Sequence, residues 1–516
     1  MKNLRLTPCS SIPKLRNTEP PFSNFDFIES TFGLCRPLHR ILSLARMSNF
    51  STMILEEIEN VGYSKEEDEY LLKHGIKVFD GNLTRLSFFK SNFHNVEEIK
   101  NQDDDDYLGY AILKFVPSRL GGYRWIVFES VIKPSRHINN FYHVGKEYQI
   151  LCNDKIFKIK GTIYCQQNTY SSVCAHVALR TAIATIKNYD DISYTTMNDI
   201  LDKKGCPHNV QNQGLNETQI KAILDELKIK YTVHVYNLGA TDPVPFQKYV
   251  YGSIESGYPA LLGFYGGSNT GHVIPVLGHT FNEDTWVPNA ETSYFRIGKN
   301  IRYVPSETWV STYICHDDNF GPHFCLPRQY LTDSSKVVVI AFEPSEAKFD
   351  AVSAEAVAIE YLNKVVQCFP ASITNPWSKR LKDAVLVQRG WVVLRPLFMS
   401  GKEYLQHLSE LKGWKENEHI DPEVIKKLAP ILNNHYWIVE FSLPELFPAN
   451  KRKLGEVVLD ANIPITPQTF STAYMFARLP GELNWLALDT NGKVYLSKID
   501  TGIETHSQLY GIIAPT

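Results

Sequence analysis

Residues 161–186 read GTIYCQQNTYSSVCAHVALRTAIATI, and this stretch constrains the fold more than any other. Ala178, Leu179, Ala182, Ile183 and Ile186 recur at helical spacing and form one apolar stripe. The stripe is rich in alanine, which predicts close packing against a neighbouring element. Ser171 and Ser172 stand just ahead of it as N-cap candidates. Cys174 then falls at or near the first turn of a buried helix, where free backbone N–H groups and the positive end of the helix dipole favour a thiolate. Upstream lie Gln166, Gln167 and Asn168, three side-chain amides able to donate to an oxyanion. A lone cysteine is more often a small buried core residue, so a nucleophile needs partners elsewhere in the chain.

Such a nucleophile needs a base to take its proton and a third group to orient that base. The segment GHVIPVLGH places His272 at the opening of an apolar strand, from which an imidazole can reach a helix start across a sheet. A later strand, YICHDD, ends in Asp317 and Asp318, and either carboxylate can fix the tautomer of His272. The same Asp-Asp-Asn before Gly321-Pro322 also makes a good turn. The order of cysteine on a helix, histidine on a strand and acid on a neighbouring strand is more specific than any one member.

From Gln167 through Asp317 the chain resembles the papain-like cysteine peptidases, closest to the bacteriocin-processing (double-glycine) group. The matching residues are Gln167 and Cys174, the helix-to-strand segment 215–236, Gly257-Tyr258-Pro259, Gly271-His272 with Gly278, and Asp317. The resemblance implies a Cys174–His272–Asp317 triad with Gln167 at the oxyanion, acting on a peptide or isopeptide bond without cofactor or metal. Three departures stand against it. The gap between Gln167 and Cys174 is one residue longer than usual, so Gln166 and Asn168 compete for the oxyanion role. Ala175, followed by His176, replaces the usual glycine after the nucleophile. The stretch between His272 and Asp317 is far longer than a hairpin, which implies an insertion at 282–311; without that insertion the acid would be Asp284. A related acyl transferase would use the same residues. The rival from another class is a non-catalytic binding or sensor protein on a degenerate peptidase scaffold.

The rest of the chain sets bounds. Its 516 residues predict roughly two to four domains. We divide it into a poorly ordered segment 1–50, a small mixed α/β domain 51–160, the peptidase-like domain 161–345 and a C-terminal α+β domain 346–516 whose end is rich in strands. The expected fold class is thus α+β, a helix on an antiparallel sheet flanked by two β-rich mixed domains. Within 51–160 a helix is expected over 54–60, and Met47 offers an alternative start to the chain. Lys and Arg total 53 against 56 Asp and Glu, so nothing predicts nucleic-acid binding, and a peptide or protein substrate is what the resemblance implies. No apolar run reaches the about 18 residues of a membrane span, and the first residues lack the pattern of a secretory signal. Nine cysteines without framework spacing suggest reduced thiols and a cytoplasmic setting. Cys315, His316, His323 and Cys325 lie close together, but their spacing fits no common zinc pattern.

Overall fold

Antiparallel pairing dominates a mixed α/β architecture in which three large sheets follow one another along the chain. The computed structural model describes residues 3–18, 23–134, 140–142, 146–209, 214–237, 244–265, 271–282, 302–329, 336–370, 372–387, 391–466, 470–488 and 494–511. Asp284, most of the 282–311 insertion and Asn491-Gly492, a dipeptide that by sequence signals a hairpin turn, lie outside them. Among the described residues no helix is long and apolar enough to cross a membrane.

The first sheet runs in the order Lys14–Asn17, Thr52–Ile58, Leu83–Phe89, Tyr107–Pro117, Tyr123–Ile132. Two expectations are corrected here. Residues 54–60 are not a helix: Thr52–Ile58 is an inner strand whose Glu56 stands opposite Arg85. The glutamates suggested a solvated helical face, but Arg85 Nε donates to Glu56 at 2.8 Å and both side chains are buried. Nor are the described residues of 1–50 loosely ordered. Helices Ser23–Phe32 and Arg36–Met47 pack on this sheet, and Leu38, Ile41, Leu42 and Leu44 are fully buried. Each such side chain contributes about 1.5–3 kcal/mol on burial. Pro37 occupies the first turn of the second helix, where its missing N–H is no loss, and the short basic helix that the sequence allows over 37–46 is this element. Arg40 of that helix donates to the carbonyls of Pro322 and His323 in the central sheet. Gly321 permits the approach: its φ is +114°, and a Cβ there would meet Arg40 Cβ at 2.7 Å.

The central sheet has the order Gly321–Pro327, Val310–Asp317, Gly271–Phe281, Ala260–Tyr265, Lys336–Phe342, Tyr231–Asn237. Asn140–Tyr142 adds to the Gly271–Phe281 strand beside Gly278, where any side chain would collide with the Phe141 carbonyl. Alternation along the strands feeds two helical layers. Leu261, Ile340 and Phe342 pack with Ala178, Leu179, Ala182 and Ile183 of helix Cys174–Thr185. Leu262, Ile274 and Val339 pack with Val250 and Ile254 of helix Phe246–Glu255 on the other face. The alanine stripe lets the Cys174 helix sit low on the sheet.

The third sheet contains Val393–Ser400, His435–Ser442, Gly455–Asp460, Tyr474–Leu479, Glu482–Leu488 and Val494–Asp500, covered by helix Ala351–Gln367. Val304–Pro305 joins its edge in parallel with Val393–Leu394, so the chain returning from the insertion is stitched into this sheet.

Candidate active site

Cys174 is the first residue of its helix and is partly exposed. The serines do not cap it; Val173 is the N-cap residue. Their hydroxyls are used within the preceding loop, where Ser172 Oγ accepts from Asn168 N at 3.1 Å. The capping role passes to His176, whose Nδ1 accepts the Val173 N–H at 3.4 Å while Nε2 faces Asn198 Oδ1 at 2.9 Å. Burial lowers this imidazole to about 3, so it stays neutral and can accept that bond.

His272 is the second residue of its strand, paired with Phe264, whose ring meets the imidazole edge-on. Its Nε2 lies 3.2 Å from Asp317 Oδ2 and 3.6 Å from Asp318 Oδ1. That leaves Nδ1 as the ring nitrogen available to the Cys174 sulfur. Burial alone would lower the imidazole; hydrogen bonding to Asp317 and to Cys174, with the charges of Asp318 and Asp317, outweighs it and raises the group to about 10. The imidazolium is the form that can pair with a thiolate.

Asp317 ends its strand and serves as both turn and partner. Its Oδ1 accepts from the N–H groups of Asn319 at 2.8 Å and Phe320 at 3.2 Å, which aims Oδ2 at the imidazole. The Tyr164 hydroxyl donates to the Asp317 carbonyl at 3.2 Å. Strand alternation would turn Asp318 away, but the strand stops at Asp317 and the turn bends Asp318 back toward the same ring. Burial pushes Asp318 up to about 6, His272 opposes this, Asp317 adds to it, and contact with Gln167 lowers it. Ligand atoms of His272, Asp317 and Asp318 all lie within 4.8 Å of one another, a spacing that would also suit a cation. Cys315, His316, His323 and Cys325 form no such group among the described residues.

The three upstream amides separate cleanly. Gln166 turns inward, its Oε1 accepting from Val127 N at 3.1 Å. Asn168 is fully buried and bonded to Glu67 and Ser171. Of the three, Gln167 alone lines the cavity that holds Cys174 and His272. This cavity encloses about 1000 Å³. Leu261, Val273, Val338 and Ile340 of the sheet line it, together with Arg119, Thr169, Pro207 and Leu215–Ile220. Tyr265 and Gly271 stand at the rim, and the loop between them lies outside the described residues. Arg119 carries no sequence motif that would have announced it, whereas Asp318 is one of the two carboxylates that the strand end offers.

No family profile matches the chain, and no curated protein matches it. Among solved structures, UfSP from C. elegans is similar over 36% of this chain and 33% of that one, at 14% identity and a TM-score of 0.23. The likeness spans about a third of that protein's length, and at that score it carries no argument about fold or activity.

Proposed function

We propose that this chain is a thiol hydrolase of peptide or isopeptide bonds built on a papain-like central domain. The observation that carries the reading is the single imidazole of His272, bonded through Nε2 to Asp317 and placed against Cys174 at the edge of an open cavity. Cys174 attacks the carbonyl carbon as thiolate, and the carbon–sulfur bond forms as the carbonyl electrons move onto oxygen. Gln167 Nε2 and the Cys174 N–H donate to that oxyanion. His272 gives its proton to the leaving amine, then takes one from water as water attacks the thioester, and returns it to the sulfur. Asp317 holds the ring in the required orientation throughout. Metal and cofactor have no role in this scheme. A cavity of about 1000 Å³ leaves room for a substrate beside Cys174.

The test is an activity-based thiol probe and a peptide-hydrolysis assay on the wild type and Cys174→Ala. Labelling and turnover that vanish together in the variant support the reading. A wild type that neither labels at Cys174 nor turns over any peptide or isopeptide overturns it in favour of a binding scaffold.

A further inference from the structure

The loop joining Gln167 to Cys174 is held from outside the central domain. Glu67, on helix Tyr63–Lys73, is 2% exposed and reaches this loop from below. Its Oε1 accepts from Asn168 Nδ2 and from Ser171 Oγ, each at 2.9 Å. Its Oε2 faces Lys114 Nζ at 3.2 Å, and Lys114 also bonds Ser64 O at 2.8 Å and Asp68 Oδ1 at 2.9 Å. The buried carboxylate is therefore fully directed, with one oxygen on the loop and one on the cation that it shares with Asp68. Asn168 relays the hold, since its Oδ1 accepts from Tyr170 N at 2.7 Å and Ser172 N at 3.2 Å.

The loop needs such a hold. Thr169, which lines the cavity, has φ +74°, a left-handed conformation that a β-branched side chain strongly disfavours. A strained residue persists only where its surroundings over-determine it, and such residues gather at functional sites. Arg119 Nε bonds the Thr169 carbonyl at 2.8 Å from the opposite side. Gln167 directly precedes the clamped Asn168, and Cys174 follows Ser171 by less than one helical turn. Displacement of Asn168 or Ser171 would thus move both the amide and the N–H groups that face the proposed oxyanion.

We infer that Glu67 is a positioning residue for the thiol site, holding the strained 167–173 loop through Asn168 and Ser171 so that Gln167 and the Cys174 N–H converge on one point. The inference rests on the thiol-hydrolase reading for its consequence on turnover, but its effect on the cysteine can be measured without any substrate. On this view the first sheet and its helix are part of the active site.

The experiment compares the full chain with Glu67→Ala, Glu67→Gln and Ser171→Ala. The readout is the pH profile of Cys174 alkylation by iodoacetamide, followed by mass spectrometry of its peptide, with kcat and KM measured wherever hydrolysis is found. Glu67→Ala is expected to slow alkylation by about tenfold or more and to shift its pH profile. Glu67→Gln, which keeps an acceptor oxygen, should restore much of that rate, and any loss in turnover should fall on kcat rather than KM. Ser171→Ala removes one hydroxyl and decides the matter if Glu67→Ala does not fold. A changed profile in a protein that hydrolyses nothing upholds the loop's role while the hydrolase reading falls. Wild-type profiles and wild-type kcat in folded Glu67→Ala, or in Ser171→Ala where Glu67→Ala does not fold, overturn the inference even where hydrolysis is found.

Discussion

Two buried polar seams tie the central sheet to its neighbours, and they end in different ways. The first runs from Lys114 through Glu67 to Asn168 and Ser171 and stops at a strained loop beside a cavity. The second leaves His279, on the same strand as His272, and crosses to the third sheet. His279 Nε2 meets Glu255 at 2.7 Å, Arg395 bridges Glu255 at 2.8 Å and Glu440 at 3.0 Å, and Lys453 bridges Glu440 at 2.8 Å and Glu456 at 3.1 Å. Arg478 closes the row on Glu456 at 2.6 Å. Charges alternate in sign along the row, and every member is nearly or fully buried. Two histidines seven positions apart on one strand thus meet different surroundings. His279 faces a carboxylate that Arg395 already balances, whereas His272 faces two acids and a thiol at a cavity wall. Burial with charges paired in alternation makes a fastening; burial with an open side and an imbalance of charge makes a site that can react.

The contrast can be broken or sharpened by substitution. The largest effect is expected for Cys174→Ala, which should remove all thiol-dependent hydrolysis while shifting stability by no more than about 1 kcal/mol in urea unfolding. An unfolded or strongly destabilised variant would make Cys174 a structural residue. On the second seam, Arg395→Met leaves Glu255 and Glu440 without their shared cation. We expect a loss of about 3–5 kcal/mol by chemical denaturation, with unchanged alkylation of Cys174 per folded molecule. Slowed alkylation in the folded variant would mean that the two seams are coupled.

Gln167→Ala should reduce kcat by about 10²–10³-fold if its amide serves the oxyanion, with little change in melting temperature. An effect confined to KM would assign it to substrate binding. The smallest effect concerns Asp318, raised by burial from its ordinary value to about 6. A carboxyl raised on folding contributes stability that is present at low pH and lost as the pH climbs from about 4 to about 6. Asp318→Asn should therefore match the wild type near pH 4 and exceed it above pH 6 by about 1–3 kcal/mol. Melting curves across that range check the sign, and a less stable variant at pH 8 would mean that attraction to His272 outweighs the burial of charge.

Legibility followed the range of the forces involved. Helices Cys174–Thr185 and Glu217–Glu226 and strand Ala260–Tyr265 were readable because apolar spacing and a capping box are local. Strand Thr52–Ile58 was not, because its glutamate is neutralised by a residue on another strand. Helix Arg36–Met47 was readable only as a short basic helix over 37–46, because the partners that cover its apolar face lie far along the chain. Strand Lys336–Phe342, an apolar run of valines and isoleucine placed between Ala260–Tyr265 and Tyr231–Asn237, carried its own signal and was overlooked. The Val304–Pro305 bridge into the third sheet has too little pattern to be read at all.

Sequence by itself determined that a cysteine opens an apolar helix, that a histidine opens an apolar strand and that two acids close another, since each follows from periodicity and chain order. Tertiary structure alone decided which side chains face the cavity. Gln166, Gln167 and Asn168 are near-equivalent as letters, yet Val127 draws the first inward and Glu67 the third, leaving Gln167 at the cavity. Asp317 and Asp318 are likewise alike until Asn319 and Phe320 take one oxygen of the former and burial unsettles the latter. Side-chain direction in a loop has no period to inherit from the backbone, so it is set by whichever distant donors and acceptors the fold brings within hydrogen-bond reach.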